Sequence, residues 1–429
     1  MWGHEQSADA AAVSEGRKPL CRFCDSPLER SFVDLGTSPL CESFVSLERL
    51  EHVEPFFPLH VRVCDSCGLV QLPSYVEPEE IFAEYAYFSS FSSSWVEHAR
   101  AYVDRIVERL ELGQGSFAVE LASNDGYLLQ HFLGTPIRIL GIEPAGNVAE
   151  AAEARGVSTL VAFFGADLAA RIVAEHDRAD LVIGNNVLAQ VPDLNDFVAG
   201  VTTLLALKGT ATFEFPHLLR LVEGLQYDTI YHEHFSYFSL ETTQTIMRSH
   251  GLEVYDVEEL PTHGGSIRVY VGHAGAHDVS PAVGALSRRE SPTLAPENSP
   301  FSRFAEDVEE SKRALLELLI KLRRGGLQVV GYGAPGKGNT LLNYCGIRTD
   351  FLSYTVDRNP YKHGRYLPGT RIPIFDTDKI AETKPDYILV LPWNLIGEIS
   401  KQLAYVAEWG GRLIVPIPRA RVLAPGLTV

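Results

Sequence analysis

Four cysteines stand in two C-x2-C pairs, Cys21-Arg-Phe-Cys24 and Cys64-Asp-Ser-Cys67, with 39 residues between them. Two such knuckles let four thiolates converge tetrahedrally, an arrangement that suits Zn²⁺. Four thiolates leave no open coordination position, so the expected role is structural; a rubredoxin-like iron site or redox thiols are the alternatives. Gly68 follows the second pair, where a knuckle calls for positive φ. Cys41 and Cys345 read as unpaired core residues.

A second group lies in Val119-Glu120-Leu-Ala-Ser-Asn-Asp-Gly126, at the end of an expected strand and ahead of a helix. That is where a doubly wound sheet binds a nucleotide. Glu120 precedes a turn of small and polar residues, Ala122, Ser123, Asn124, Asp125 and Gly126, and the next strand ends in Gly-Ile-Glu143-Pro144. A carboxylate at position 143 is placed to hold both ribose hydroxyls of an adenosine. The turn is not G-x-G-x-x-G and brings little positive charge, so the cationic sulfonium of S-adenosylmethionine fits it better than a pyrophosphate. The bland alternative is an ordinary strand-turn-helix with incidental acids.

Two further clusters follow. Tyr231-His232-Glu233-His234-Phe-Ser-Tyr237, preceded by Glu214-Phe-Pro-His217, concentrates imidazoles, a carboxylate and phenols. These groups suit proton transfer, or equally a buried structural cluster. The spacing is not H-E-x-x-H, and histidines two apart do not share a helix face. Gly331-Tyr-Gly333-Ala-Pro-Gly336-Lys337-Gly338-Asn339-Thr340 matches G-x-G-x-x-G, with Asp357 where the ribose-binding acid of a nicotinamide enzyme would stand. The same amides and Lys337 at a helix N-terminus would equally hold a nucleotide-sugar diphosphate. An aromatic strip, Tyr85-Ala-Tyr87-Phe88-Ser-Ser-Phe91-Ser-Ser-Ser-Trp95, is either interdomain packing or a cover over substrate.

The elements that must position these groups fall into three textures. Residues 19–78 are rich in Cys, Pro and Phe with short β-like runs, as in a small zinc-stapled module. Over 79–277 strand and helix signals alternate, which implies a parallel sheet with helices on both faces, and Asn185 and Asn186 end one of its strands. Residues 278–300 hold clustered prolines and serines and read as a linker. From 301 to 429 the alternation restarts as a second Rossmann-like α/β domain, and 1–18 reads as a flexible tail. With 37 basic and 55 acidic residues the formal charge is −18, which argues against a nucleic-acid partner. No apolar run is long enough for a membrane helix and no signal peptide is evident, so a soluble, cytoplasmic, monomeric protein is expected.

Taken in order, these motifs resemble the S-adenosylmethionine-dependent sugar 3-C-methyltransferases of antibiotic deoxysugar pathways. The resemblance runs through the four-cysteine module, the Tyr-x-Tyr-Phe-Ser-Ser strip, Glu-x-x-Ser-Asn-Asp-Gly, Asn-Asn-Val-Leu-Ala, Tyr-His-Glu-His-x-Ser-Tyr and Gly-Tyr-Gly-x-x-x-Lys-Gly-Asn-Thr-Leu-Leu-Asn-Tyr. It implies methyl transfer to C3 of a nucleoside-diphosphate 4-keto-deoxysugar, usually thymidine-linked. His234 then matches the base, with Tyr231, Glu233 and His232 beside the keto-sugar and Tyr85, or Tyr87 in its place, near the sugar. Asn185 and Asn186 join Glu120, Ala122 to Gly126, Glu143 and Pro144 around the cofactor. Gly336, Lys337, Gly338, Asn339 and Asp357 help hold the nucleotide-sugar. Relatives often read Asn-Asn-Val-Leu-Ala-His where this chain has Gln190, which forms hydrogen bonds but does no acid-base chemistry. The rival classes are a small-molecule O- or N-methyltransferase, an NAD-dependent oxidoreductase using the second glycine motif, and a non-enzymatic zinc-ribbon adaptor.

Overall fold

The computed structural model describes residues 19–76, 81 and 88–426. The tail expected at 1–18 lies outside them, as do Tyr85 and Tyr87. The chain sorts into two compact units, neither continuous in sequence. Met1–Arg30, Val63–Leu218 and Phe235–Pro292 make the first, and Ser31–Arg62, Leu219–His234 and Thr293–Val429 the second.

The knuckles are flanked by β1 (Arg30–Ser38), β2 (Phe57–Val63) and β3 (Val70–Gln71). β1 and β2 are hydrogen-bonded neighbours. Phe32 on β1 stacks on Phe304 with ring centroids 4.6 Å apart and also meets Phe301 at 4.9 Å. β1 accordingly clusters with the second unit.

In the first unit α1 (Ser93–Arg109) starts at Ser92, whose hydroxyl accepts from the Trp95 amide. Its buried stripe is Ala99, Tyr102, Val103 and Ile106, the i, i+3, i+4, i+7 pattern of an amphipathic helix. There follow β4 (Phe117–Leu121), β5 (Arg138–Ile142), α2 (Gly146–Ala154), β6 (Thr159–Leu160), α3 (Ala166–His176), β7 (Ala179–Asn185), α4 (Leu194–Leu204) and β8 (Leu205–Pro216). After the short α5 (Leu218–Glu223) come β9 (Ser236–Tyr237), α6 (Leu240–Ser249), β10 (Leu252–Leu260), β11 (Ser266–His273) and α7 (Pro281–Thr293). The large sheet has the order β10-β11-β8-β7-β4-β5-β6. It is parallel from β8 through β6, with β10 and β11 antiparallel. β4 is buried at every position, as a central parallel strand covered on both faces must be. β3 pairs antiparallel with β9.

Two local expectations change. The run Tyr127 to Phe132, read as a helix, forms only a 3₁₀ turn over Leu129–Phe132. The stretch 278–300, read as a linker, holds α7, which buries Val283, Leu286 and Glu290. That stripe is too thin to show through the prolines and serines around it.

The second unit continues with α8 (Phe304–Arg324), β12 (Val329–Tyr332), α9 (Gly336–Cys345), β13 (Thr355–Val356), β14 (Ile374–Phe375), α10 (Lys379–Thr383), β15 (Tyr387–Val390), α11 (Ile396–Gln402), β16 (Arg412–Val415) and β17 (Arg421–Leu423). Its sheet has the order β14-β13-β12-β15-β16-β17, parallel except for β17. Val330, Val356, Ile388, Val390 and Leu413 fill its core. The protein is thus α/β, with a small β sheet beside the cysteine knuckles, a central seven-stranded and mostly parallel sheet, and a six-stranded C-terminal α/β sheet. No helix among the described residues is long and apolar enough to cross a membrane.

Candidate functional site

The Sγ atoms of Cys21, Cys24, Cys64 and Cys67 all lie within 4.8 Å of one another. Cys21 and Cys67 are 3.6 Å apart, and Cys24 and Cys64 3.5 Å. Thiolates held about 2.3 Å from one tetrahedral zinc are about 3.8 Å apart, so the four atoms fit that ion. The backbone shapes each knuckle in the same way. Asp25 N donates to Cys21 O at 2.9 Å, and Gly68 N to Cys64 O at 2.8 Å. Both residues take positive φ, 56° and 75°, so Gly68 has the conformation its place after the knuckle predicts.

At the carboxyl end of the large sheet, strand register brings distant residues onto one face. Glu120 on β4 is level with Ile183 on β7. Ile183 and Asn185 are level with Thr212 and Glu214 on β8, and Glu214 with Arg268 on β11. Side chains alternate faces along a strand, so Glu120, Asn185, Glu214 and Arg268 form a row. α1 covers it, Tyr102 sharing a 2.6 Å hydrogen bond with Thr212.

Six buried side-chain atoms of this row have no hydrogen-bond partner: both carboxylate oxygens of Glu120, both amide atoms of Asn185, and Nε and Nη1 of Arg268. Ser123 Oγ and Asn186 Oδ1 beside them are in the same state. Buried polar groups are normally satisfied, so this set fits an absent polar ligand such as S-adenosylmethionine. Glu120 is 1% exposed. Burial, and then the charges of Glu143 and Asp125, push its carboxyl well above the usual range. Glu143 is raised by burial too, though two amide bonds offset this in part. They come from Asn124 N at 3.0 Å and Ala145 N at 2.9 Å, so Glu143 also braces the turn.

Asn124 and Asp125 are partly committed elsewhere. Asn124 Oδ1 accepts from Ser89 N at 2.9 Å. Asp125 Oδ2 takes an ion pair from Arg155 at 2.9 Å and a short hydrogen bond from Ser90 Oγ. Asp125, read from the sequence as cofactor-binding, thus uses one oxygen to tie down the described end of the aromatic strip, while its Oδ1 has no hydrogen-bond partner. Ala122 and Asn124 take positive φ, and Gly126 and Pro144 complete the two turns around Glu120 and Glu143.

Glu214 is satisfied on both oxygens. His98 Nε2 lies 2.9 Å from one, Thr262 Oγ1 donates to the other at 2.9 Å, and the fully buried Arg268 donates to the first. Burial pushes the carboxyl up, but the His98 bond and the Arg268 charge outweigh it and hold it below the usual range. Arg268 also lies 4.2 Å over the Tyr102 ring. Neither His98 nor Arg268 was singled out in sequence, where they stand 116 and 54 residues from Glu214. His217 pairs instead with Glu290 of α7 at 2.5 Å, and Glu290 also accepts from Leu240 N at the start of α6 at 2.7 Å.

The Tyr231–His234 segment belongs to the second unit. His234 Nδ1 lies 2.9 Å from the carbonyl oxygen of Thr229. A carbonyl only accepts, so Nδ1 carries the proton and Nε2 the lone pair. The Tyr231 ring lies against the imidazole at 4.1 Å. Cys41 donates to Glu233 Oε1 at 3.4 Å, burial pushing its thiol up so that it stays protonated, and Thr340 on α9 donates to Ile230 O at 2.9 Å. His232 faces the other way. It spends its Nε2 proton on Pro58 O at 3.1 Å, and burial lowers its pKa. With Nε2 so engaged, the neutral ring has no second proton to donate.

The second glycine motif packs closely on the chain's own atoms. A Cβ on Gly336 would come within 2.8 Å of Cys41 Sγ, and one on Gly338 within 3.0 Å of Leu391. Asn339 donates to Cys41 O at 2.5 Å. Asp357 accepts from Ala334 N at 2.7 Å and from Asn359 N at 2.8 Å, so both oxygens expected for a ribose are engaged. Of the five residues assigned to the nucleotide-sugar, Gly338 and Asn339 are buried, while Gly336, Lys337 and Asp357 are half-buried. Gln190 closes a 3₁₀ turn, its amide donating to Val187 O at 2.7 Å.

Comparison with known proteins covers the chain in three parts. A putative zinc binding domain matches residues 21–82, a methyltransferase domain 95–257 and a C-methyltransferase C-terminal domain 261–418. The C-methyltransferase NovU of Streptomyces niveus is 39% identical over 410 residues, 95% of this chain and 98% of that protein. Among solved structures, the magnesium protoporphyrin IX methyltransferase ChlM of Synechocystis PCC 6803 with bound SAM is 12% identical, with 47% of this chain and 100% of that one covered at a TM-score of 0.35. An S-adenosylmethionine-dependent methyltransferase of Clostridium acetobutylicum ATCC 824 is 12% identical, with 42% and 92% covered at a TM-score of 0.34.

Proposed function

The chain belongs to the C-methyltransferase family and is an S-adenosylmethionine-dependent enzyme, and from that premise we propose that it methylates C3 of a nucleoside-diphosphate 4-keto-deoxysugar, thymidine-linked, through an enolate. The observation that carries this reading is the hydrogen bond of His234 Nδ1 to Thr229 O. It holds the imidazole in the tautomer whose Nε2 takes up a proton, which is what a general base needs.

A hydrogen on carbon next to a ketone is acidic because the electron pair left behind delocalises onto oxygen. His234 Nε2 takes the C3 proton, and the phenol of Tyr231, packed on the same ring, donates to the C4 oxygen as negative charge grows there. C3 becomes the nucleophile. Glu233, tied by Cys41, fixes the segment beside the sugar, and Tyr85 or Tyr87 contributes as the family resemblance implies.

S-adenosylmethionine, when bound, supplies an electrophilic methyl on positively charged sulfur. Glu120 and Asn185, whose buried polar atoms lack partners, would hold its amino-acid end, and the remaining lone pairs of Glu143 its ribose. Side-by-side binding of the two reactants supplies orientation worth several kcal/mol of barrier, on the order of 7–11 at most. The zinc site is structural in this scheme.

The test is incubation with S-adenosylmethionine and a thymidine-diphospho-4-keto-2,6-dideoxyhexose, followed by mass spectrometry and carbon-resolved NMR. A new methyl on C3 is expected. A methyl on oxygen or nitrogen would replace this reading with that of an O- or N-methyltransferase.

A further inference from the structure

We propose that Asp228 and Lys337 form a two-point subsite that grips a hydroxyl of the sugar in the nucleotide-sugar, with Trp393 as its wall. The inference rests on the nucleotide-sugar reading above and deepens it.

Asp228 sits in the 3₁₀ turn Tyr227–Thr229, the turn whose Thr229 carbonyl orients His234. Its side chain is fully buried. One oxygen accepts from Trp393 Nε1 at 2.6 Å, and the other has no partner. A buried carboxylate oxygen left unspent is costly unless something donates to it. Lys337, in the first turn of α9, lies 5.0 Å over the Trp393 ring and donates to Asn394 Oδ1 at 3.1 Å. Among the described residues it makes no ion pair with Asp228 within 4 Å, although the two charges act on one another. An acceptor and a donor thus flank the same indole without touching.

A hydroxyl satisfies both groups at once, its hydrogen toward Asp228 and its lone pair toward Lys337. An aromatic face suits the C–H face of a pyranose. A phosphate would bring a second negative charge against Asp228, and Lys337 already donates to Asn394 Oδ1. Within the motif, the amides of Gly338 and Asn339 donate to Pro335 O and Asp357 accepts from Ala334 N and Asn359 N, so these groups are engaged within the chain. The chemistry therefore favours the sugar over the diphosphate as the group read here.

The test is calorimetric titration of the full-length protein, saturated with S-adenosylhomocysteine, by thymidine-diphospho-glucose and by thymidine diphosphate. Asp228→Asn and Lys337→Met should each weaken thymidine-diphospho-glucose at least tenfold while moving thymidine diphosphate less than threefold. The double variant should lose little more than the worse single, because both groups hold one hydroxyl. Equal losses for both probes would assign Lys337 to the diphosphate and overturn the subsite, as would unchanged binding in variants that melt like wild type. Failure of wild type to bind thymidine-diphospho-glucose would overturn it too. Binding that behaves as expected, in a protein that does not methylate keto-sugars, would keep the subsite and remove the His234 base instead. Should Asp228→Asn fail to fold, Lys337→Met alone decides.

Discussion

Cofactor binding should drive a proton off Glu120. In the ligand-free protein that carboxyl is 1% exposed, has no hydrogen-bond partner on either oxygen, and is pushed well above its usual range by burial and by Glu143 and Asp125. A cationic amino group placed against it favours the ionised form, so affinity and deprotonation are linked. Below the raised pKa, affinity should climb up to tenfold per pH unit, about 1.4 kcal/mol each, and flatten above it. Titration with S-adenosylhomocysteine in two buffers of different ionisation enthalpy reads the proton directly. Wild type should release up to one proton more than Glu120→Gln, whose affinity should be flat with pH. Where wild type is ionised, the variant should bind roughly 10- to 100-fold more weakly, since a hydrogen bond to a charged group is worth about 1.5–3 kcal/mol. Without ligand the sign reverses. A folded pKa above the unfolded one means that stability falls as pH rises through it, so Glu120→Gln should melt higher than wild type on the alkaline side. Equal proton release by the two proteins, or equal affinity, would remove Glu120 from the cofactor site.

His234→Asn should cut turnover by about 10²–10⁴ while S-adenosylhomocysteine affinity stays within a few-fold; more than a tenth of wild-type activity would exclude it as the base. Chelation should remove one zinc per chain and lower the melting temperature, and activity lost with an unchanged melting curve would contradict a structural metal. Burial pushes Asp228 from 3.8 up to about 6 against the opposing pull of Lys337 and Trp393, a difference of about two pH units that costs on the order of 3 kcal/mol once the group is ionised. Wild-type stability should therefore fall between about pH 4 and 6 relative to Asp228→Asn, measured by urea melts across that range; parallel curves would show that Asp228 is not a buried acid.

The cysteine knuckles and the turn after Glu120 were legible because each is a contiguous motif that needs only its own backbone. Asp25 and Gly68 take the same left-handed conformation, each donating its amide directly to the carbonyl of the first cysteine of its pair, and nothing distant is required. The alternating pattern of strands and helices was readable for the same reason, since a buried run such as Phe117 to Leu121 carries its own signature. α7 was missed because three buried residues among prolines make a weak pattern.

Side-chain partnership across the fold was not legible. His98 and Arg268 meet Glu214 only because strand register and the packing of α1 bring them there. His232 and His234 are two residues apart, yet one faces Pro58 and the other Thr229, so their chemical roles part. The Gly336 motif reads as a dinucleotide cradle in one dimension, while in three Cys41 Sγ stands 2.8 Å from where a Cβ on Gly336 would be, a close approach that glycine allows. Residue type and spacing specify conformations that close within a few residues. Which donor faces which acceptor, and hence which nitrogen keeps its proton, follows from the burial of apolar surface that carries remote segments together.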